Sequence, residues 1–474
     1  MKYLRIIICF LLIYSTGVNA ETQDNLSQTI IIQFKNTNRI ISNTKLNVVA
    51  KYLKTNLQDL TSKFKVQNIT EDSQDLRSQE LKNQLGLNRT YKLSIDSNIT
   101  KSKLKSLIKK LNSDPNIEYA ELDSLAQINF IPNDPLYNST GSTWNFPFDE
   151  MWAAKRIHSE QAWDSSLGEG IVIAIIDTGV DYNHPDLWDN IWVDPKLASD
   201  QNKDGKINLD DIDTNHNHKI EDSEMNRNYI GYDFDAKDST PKDYNRHGTS
   251  IAGVAAASGN NSEGITGTAP KAKIMVLKAV NDSGSGRYSN LAKAVIYAAD
   301  KGAHITNSSW DGINSRTISN AYKYAYQKGL VNIASAGNQN INAKSNTPAN
   351  LPNTITVGAT EPLKDERAGF SNYGSVVVIC APGAYVTTTL SELGPGNASR
   401  FVGNPPYQYW YVSGTSIASP HVAGVVALML SANPKLTNKQ IKKLLIESSE
   451  HLDTDKNIGG LVDATAAVAA AKNF

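Results

Sequence analysis

Six short runs, at 171–176, 273–280, 304–309, 331–336, 354–359 and 376–381, are apolar or small almost throughout. A strand with one face in water alternates apolar and polar residues, whereas a run without that alternation reads as a strand covered on both faces. Between and after these runs, 288–301, 316–327 and 438–448 carry apolar residues at helical spacing. The alternation predicts an α/β architecture: a doubly wound, mostly parallel sheet with helices on both faces. In such sheets functional groups gather at the carboxyl ends of the strands. No repeat of 20 to 50 residues is visible.

The 474 residues exceed one typical domain. A formal net charge of −1 gives no reason to expect nucleic acid or an acidic membrane surface as a partner. The lysine-rich stretch 101–110 has Leu104, Leu107, Ile108 and Leu111 at helical spacing, which reads as a solvated outer helix face. At the N-terminus, Lys2 and Arg5 precede the apolar run 6–13, and Val18-Asn19-Ala20 offers a small-residue cleavage site. Residues 1–20 are therefore expected to be a secretory signal, so the mature protein is secreted, extracellular or periplasmic, with no membrane span. Cys9 leaves with the signal, and Cys380 remains as a packed, inert thiol.

Three segments carry chemistry. In 414–424, GTSIASPHVAG, Ser416 stands at the turn into a helix of small and apolar residues, where opening N–H groups and the positive dipole end would face a developing oxyanion. Pro420 is expected within the first turn of that helix, where a missing donor costs little. Asp177 ends the run 171–176, at the carboxyl end of a buried strand, and His247 opens a small-residue helix in Arg246-His247-Gly248-Thr249-Ser250. A serine needs a base, and the base needs an orienting group; these segments supply one of each. His184, His216, His218 and His421 lack the helix-opening context and read as packing or surface residues.

The segments IAIIDTGVDYNHPDL, RHGTSIAGVAAA and GTSIASPHVAGVVALML, with Ala334-Ser335-Ala336-Gly337-Asn338, resemble the signatures of the subtilisin-like serine proteases, the subtilase family. Asp177, His247 and Ser416 also follow the order in which subtilisins place their triad. The resemblance runs from about Asn129 to Asp463. It implies a secreted endopeptidase acting on protein or peptide substrates through an Asp177–His247–Ser416 triad, with Asn338 as a second oxyanion donor beside the Ser416 N–H. It further implies that 21–127, a small α+β domain with strand-like runs at 29–34, 91–95 and 117–122 and helical periodicity at 46–60 and 103–111, is an inhibitory propeptide. The peptidase domain would then occupy 128–474, and the mature enzyme would be a monomer with no organic cofactor. A catalytically silent, calcium-dependent binding protein on the same fold is the alternative.

The resemblance extends to substrate binding. Gly284-Ser285-Gly286 resembles the family's Gly-rich edge, which pairs with an extended peptide, and Ser309-Trp310-Asp311-Gly312 forms the opposite edge. Asp311 stands where the family usually has Gly; its carboxylate either points to solvent or binds locally, or it faces the first specificity pocket. Asp134, Asp186 and Asn261 match ligands of the family's N-terminal calcium site.

An insertion at about 188–230 separates Asp177 from His247. Residues 194–238 contain twelve acidic and six basic residues. Asp200, Asn202, Asp204, Gly205 and Asp211 fall at positions 1, 3, 5, 6 and 12 of a calcium-loop pattern, and Asp213, Asn215, Asn217 and Glu224 at 1, 3, 5 and 12 of a second. His218 stands where the second pattern expects Gly. A single residue between the loops leaves no room for paired EF-hand helices, so helix-free calcium loops are expected, with a solvated acidic loop as the alternative.

Overall fold

A computed structural model describes residues 29–35, 66–68, 76–94, 101–123, 131–394, 400–402 and 407–474. The expected signal, the periodicity at 46–60 and the stretch joining the two expected domains lie outside these residues. The chain divides into two compact units, Met1–Gln127 and Ile128–Phe474.

The first unit is a four-stranded antiparallel sheet ordered β2-β3-β1-β4, built from β1 (Thr29–Phe34), β2 (Val66–Asn68), β3 (Thr90–Ser94) and β4 (Ile117–Leu122). Among the described residues of this unit the α-helices are α1 (Leu76–Leu85) and α2 (Lys101–Asn112). Leu104, Leu107 and Leu111 of α2 are buried with Ile30, Ile32 and Phe34, while Lys105, Lys109 and Lys110 are exposed. The 3.6-residue period decides this split: four-residue steps keep the leucines on one side and turn the lysines to water.

The second unit contains β5 (Val172–Asp177), β6 (Gly231–Asp233), β7 (Lys273–Lys278), β8 (Ile305–Ser308), β9 (Val331–Ser335), β10 (Thr354–Thr360) and β11 (Ile379–Pro382). After them come β12 (Val386–Thr389), β13 (Arg400–Val402), β14 (Tyr407–Val412) and β15 (Gly460–Leu461). Eight strands pair in the order β15-β11-β10-β9-β8-β5-β7-β6, every pair parallel. Strands β12, β14 and β13 form a small antiparallel sheet. The expected run at 376–381 becomes a strand only from Ile379, because Val377 closes a turn onto Gly374 O at 3.0 Å.

The helices of eight residues or more in this unit are α3 (His247–Ala256), α4 (Tyr288–Asp300), α5 (Arg316–Gln327), α6 (Thr415–Ala432), α7 (Asn438–Glu447) and α8 (Ala464–Asn473). Alternation along the strands shows which face each covers. Ile173, Ile175, Ile274 and Val276 belong to one core with residues of α3, α6, α7 and α8. Their neighbours Ala174, Ile176, Met275 and Leu277 belong to another with α4 and α5. Both faces are covered, which is why these strands lack an apolar–polar alternation. Helix α6 is apolar enough to cross a bilayer by length and composition, yet it is buried along nearly its whole length. It is the rigid centre of its layer, and each of its fully buried Val or Leu side chains contributes about 1.5–3 kcal/mol.

Pro420 is the sixth residue of α6, inside the helix rather than in its first turn. A proline there cannot donate to the carbonyl four residues back, that of Ser416. Ser309 Oγ donates to that carbonyl instead, at 2.9 Å, and Ser419 Oγ does so at 3.2 Å. A side chain from the loop after β8 thus replaces a helix hydrogen bond.

Candidate active site

The central strand β5 ends at Asp177, which is 2% exposed. His247 opens α3 after Arg246, whose φ of 88° turns the chain into the helix. The two meet with His247 Nδ1 2.7 Å from Asp177 Oδ1, while the imidazole keeps about a third of its exposure (35%). Thr178 N also donates to Asp177 Oδ1, at 2.8 Å. Burial works against a charged imidazole, but the charge and hydrogen bond of Asp177, with the charge of Asp243, outweigh it and hold the His247 pKa above its ordinary value. An imidazole with this carboxylate on Nδ1 presents Nε2 as a proton acceptor, the state a general base requires.

Helix α6 packs beside α3 on the same face of the sheet and brings Ser416 to its second position. Thr415 N and Thr415 Oγ1 both donate to Asn338 Oδ1 at 2.8 Å, so the Asn338 carbonyl oxygen is occupied and its NH2 is turned outward. Gly414 shows where these groups point. A Cβ there would lie 2.7 Å from Ser416 Oγ, 3.3 Å from Asn338 Nδ2 and 3.7 Å from Ser416 N. One point of space beside the bare glycine is therefore within reach of a hydroxyl and two N–H donors. A side chain at 414 would fill that space.

Asp243 was not singled out by the sequence reading. Its carboxylate is completely buried. Oδ1 accepts from Thr178 Oγ1, Asn245 N and Arg246 N, each at 2.9 Å, and Oδ2 accepts from Thr249 N at 2.8 Å and Thr249 Oγ1 at 2.6 Å. It holds the turn that presents His247 and caps the start of α3. Its burial raises its pKa against the pull of those hydrogen bonds. The available signal was weak: an acidic residue four positions before a helix-opening histidine is not at the N-cap position, which Arg246 occupies.

The proposed substrate edges are both loops. Gly284 and Ser285 follow a turn closed by Asn281, and 284–286 are exposed. On the other side Ser309 is tied to Ser416 O, Trp310 is half-buried, Asp311 is exposed and Gly312 bridges to Thr347. His421 is fully buried with Nδ1 2.9 Å from Thr268 Oγ1, and burial lowers its pKa to about 3. His184 is buried, accepts from Asp186 N and meets the Tyr409 ring edge-on. His216 and His218 lie exposed in the insertion. Cys380 is buried, which pushes its thiol well above the usual range and leaves it unreactive.

Asp134, Asp186 and Asn261 are brought together. Asn261 N donates to Asp134 Oδ1 at 3.3 Å and Asn261 Nδ2 to Asp186 Oδ1 at 2.8 Å. Burial raises the pKa of both carboxyls, for Asp186 to well above the carboxylate range, and Asp134 adds its repulsion to Asp186. In the insertion the two expected loops have one hydrogen-bond plan. Asp204 N and Gly205 N donate to Asp200, as Asn217 N and His218 N donate to Asp213. Gln201 N and Asn208 N donate to Asp211, as Thr214 N and Glu221 N donate to Glu224. Gly205 and His218 both have positive φ, 85° and 58°. A single 3₁₀ turn, Leu209–Asp211, is the only helical piece between Asp200 and Glu224. Among the described residues no three His, Cys, Asp or Glu side chains converge as a ready-made metal cage.

The subtilase family model matches residues 168–465. The chain is 36% identical over 353 residues to the thermophilic serine proteinase of Bacillus sp. strain AK1, covering 74% of this chain and 71% of that protein. It is 32% identical over 418 residues to an extracellular protease of Xanthomonas campestris, covering 82% of this chain and 67% of that one. Among solved structures, a protease of Pseudoalteromonas arctica aligns with a TM-score of 0.56 and 28% identity, over 72% of this chain and 99% of that one. The chain belongs to the subtilase family and is a subtilisin-like serine protease.

Proposed function

We propose that this protein is a secreted endopeptidase, made as a zymogen, that cleaves peptide bonds through an Asp177–His247–Ser416 triad and an acyl-enzyme. The observation carrying this reading is the convergence of Ser416 Oγ, Ser416 N and Asn338 Nδ2 on one point, behind which Asp177 is hydrogen-bonded to His247. Ser416 Oγ attacks the carbonyl carbon while His247 Nε2 accepts the hydroxyl proton. The carbonyl oxygen, now negative, takes hydrogen bonds from Asn338 Nδ2 and Ser416 N. As the C–N bond breaks, His247 gives the proton to the departing amine, leaving the acyl group on Ser416. Water, deprotonated by His247, then hydrolyses the ester. Asp177 holds the imidazole in the required tautomer and stabilises its positive form throughout.

In this reading 1–20 directs export, consistent with an extracellular relative, and 21–127 is the inhibitory propeptide. The mature 128–474 acts as a monomer. Calcium fits two places. Asp134 and Asp186 are neighbouring carboxylates whose ionisation burial disfavours, Asp134 adding its repulsion to Asp186, with Asn261 beside them, and a hard cation relieves that cost. The loops 200–211 and 213–224 offer carboxylate, amide and backbone oxygens in a calcium-loop plan. Bound calcium supplies structural rigidity there and no catalytic step.

A serine-directed fluorophosphonate tests the reading: the mature protein should be labelled at Ser416, and Asp177→Asn should lower both labelling and hydrolysis. An unlabelled mature protein that cleaves no peptide would favour the silent binding protein.

A further inference from the structure

Two chain segments are tied to the groups that meet beside Gly414, and Asp311 joins them. The first begins at Ser309, whose Oγ is tied to the Ser416 carbonyl. Asp311 lies two residues further on, within roughly 7 Å of chain. The second carries Asn338 and continues to Gln339, whose Nε2 donates to Asp311 Oδ2 at 3.1 Å; Asn346 Nδ2 donates to the same oxygen at 3.3 Å. Gln339 is itself held, its N–H by Asn372 Oδ1 at 3.1 Å and its Oε1 by Asn372 Nδ2 at 2.8 Å. The carboxylate thus links the segment bonded to the Ser416 carbonyl with the segment that carries Asn338.

We infer that Asp311 is the acidic wall of the pocket that receives the side chain just before the scissile bond, and that it selects lysine or arginine there. This rests on the catalytic reading above. In that reading the attacked carbon meets Ser416 Oγ and its oxygen meets Asn338 Nδ2. The side chain preceding the cleaved bond branches from the carbon next to that carbonyl, so it leaves between the same two segments. Asp311 is exposed, and both of its donors are neutral amides on a single oxygen. Among the described residues its other oxygen accepts no hydrogen bond and no basic side chain pairs with the carboxylate. The amides orient the charge without cancelling it. A cationic side chain completes the carboxylate's second oxygen, whereas an apolar one strips water from it without replacement.

The test uses two quenched-fluorescence peptides identical except for lysine or norleucine before the cleaved bond. The mature enzyme is expected to favour lysine at least tenfold in kcat/KM. Asp311→Asn, which keeps the shape and removes the charge, should lower the lysine-to-norleucine ratio of kcat/KM at least tenfold, and fluorophosphonate labelling at Ser416 shows that the variant is folded. Asp311→Gly should give the same loss of preference. A lysine-to-norleucine ratio that does not change in either variant overturns the assignment while the protease reading stands. A wild-type protein that cleaves neither peptide and is not labelled at Ser416 removes both.

Discussion

Asp243→Asn separates the support of the triad from the triad itself. An amide keeps one acceptor oxygen, which can serve the three donors now on Oδ1: Thr178 Oγ1, Asn245 N and Arg246 N. Its NH2 then faces Thr249, where the wild-type oxygen accepts from both N and Oγ1. The Thr249 hydroxyl can rotate, but its N–H cannot, so one buried backbone donor is stranded at about 1–3 kcal/mol. The remaining bonds lose their charge assistance, which roughly doubles a hydrogen bond's strength, and removal of a buried charge offsets part of that loss. The expected net cost is about 2–4 kcal/mol, a fall in Tm of roughly 3–6 °C for a unit of this size. Asp243→Ala strands every donor and should cost more.

The same change acts on His247. Asp243 helps hold the imidazole pKa up, so removing its charge lets that pKa fall, and the base stays neutral to a lower pH. The acid limb of kcat/KM against pH should therefore move to lower pH. The shift should be a fraction of a unit, because Asp177 supplies the larger share of the upward pull. Calorimetry on a Ser416→Ala background, which excludes autolysis, reads the stability. A pH–rate profile on one peptide reads the base. An unchanged Tm, or an acid limb that moves to higher pH, would refute this account of Asp243.

Ser416→Ala should accumulate as a precursor lacking only the signal, seen by intact mass; normal trimming would mean that another protease does the work. Asn338→Leu should lower kcat by roughly 10² to 10³ with little change in KM, the loss that follows removal of one oxyanion donor in a subtilisin. A tenfold rise in KM with kcat intact would take Asn338 out of that role. On the Ser416→Ala background, calcium should raise stability by about 2.7 kcal/mol at 100 times its Kd. Asp204→Ala with Asn215→Ala should lower bound calcium without touching Asp134, Asp186 or Asn261. Equal stoichiometry in parent and double mutant would leave the insertion a solvated acidic loop.

What is local in this chain was legible from its sequence. The doubly covered parallel sheet follows from apolar runs without alternation, because burial on both faces removes the pressure for polar residues at every second position. The helix at 101–112 follows from four leucine and isoleucine positions on one side of a lysine-rich segment. Asp177, His247 and Ser416 were singled out because each was expected where an element begins or ends, and they lie at the end of β5, the start of α3 and the second residue of α6. Contacts between segments far apart in sequence were decided only by the tertiary structure. Pro420 read as a first-turn residue because local rules place prolines there; it lies deeper in α6 because Ser309, 107 residues from Ser416 along the chain, accepts the role of the missing donor. Asp243 was not singled out from the sequence; four of its five donors lie within six residues of it, but its complete burial and the Thr178 hydroxyl, 65 residues away, come only with packing. The carboxylate of Asp311 could have pointed to solvent or to a pocket. Its direction depends on Gln339 and Asn346, side chains that no periodicity connects to it and that folding alone brings within reach.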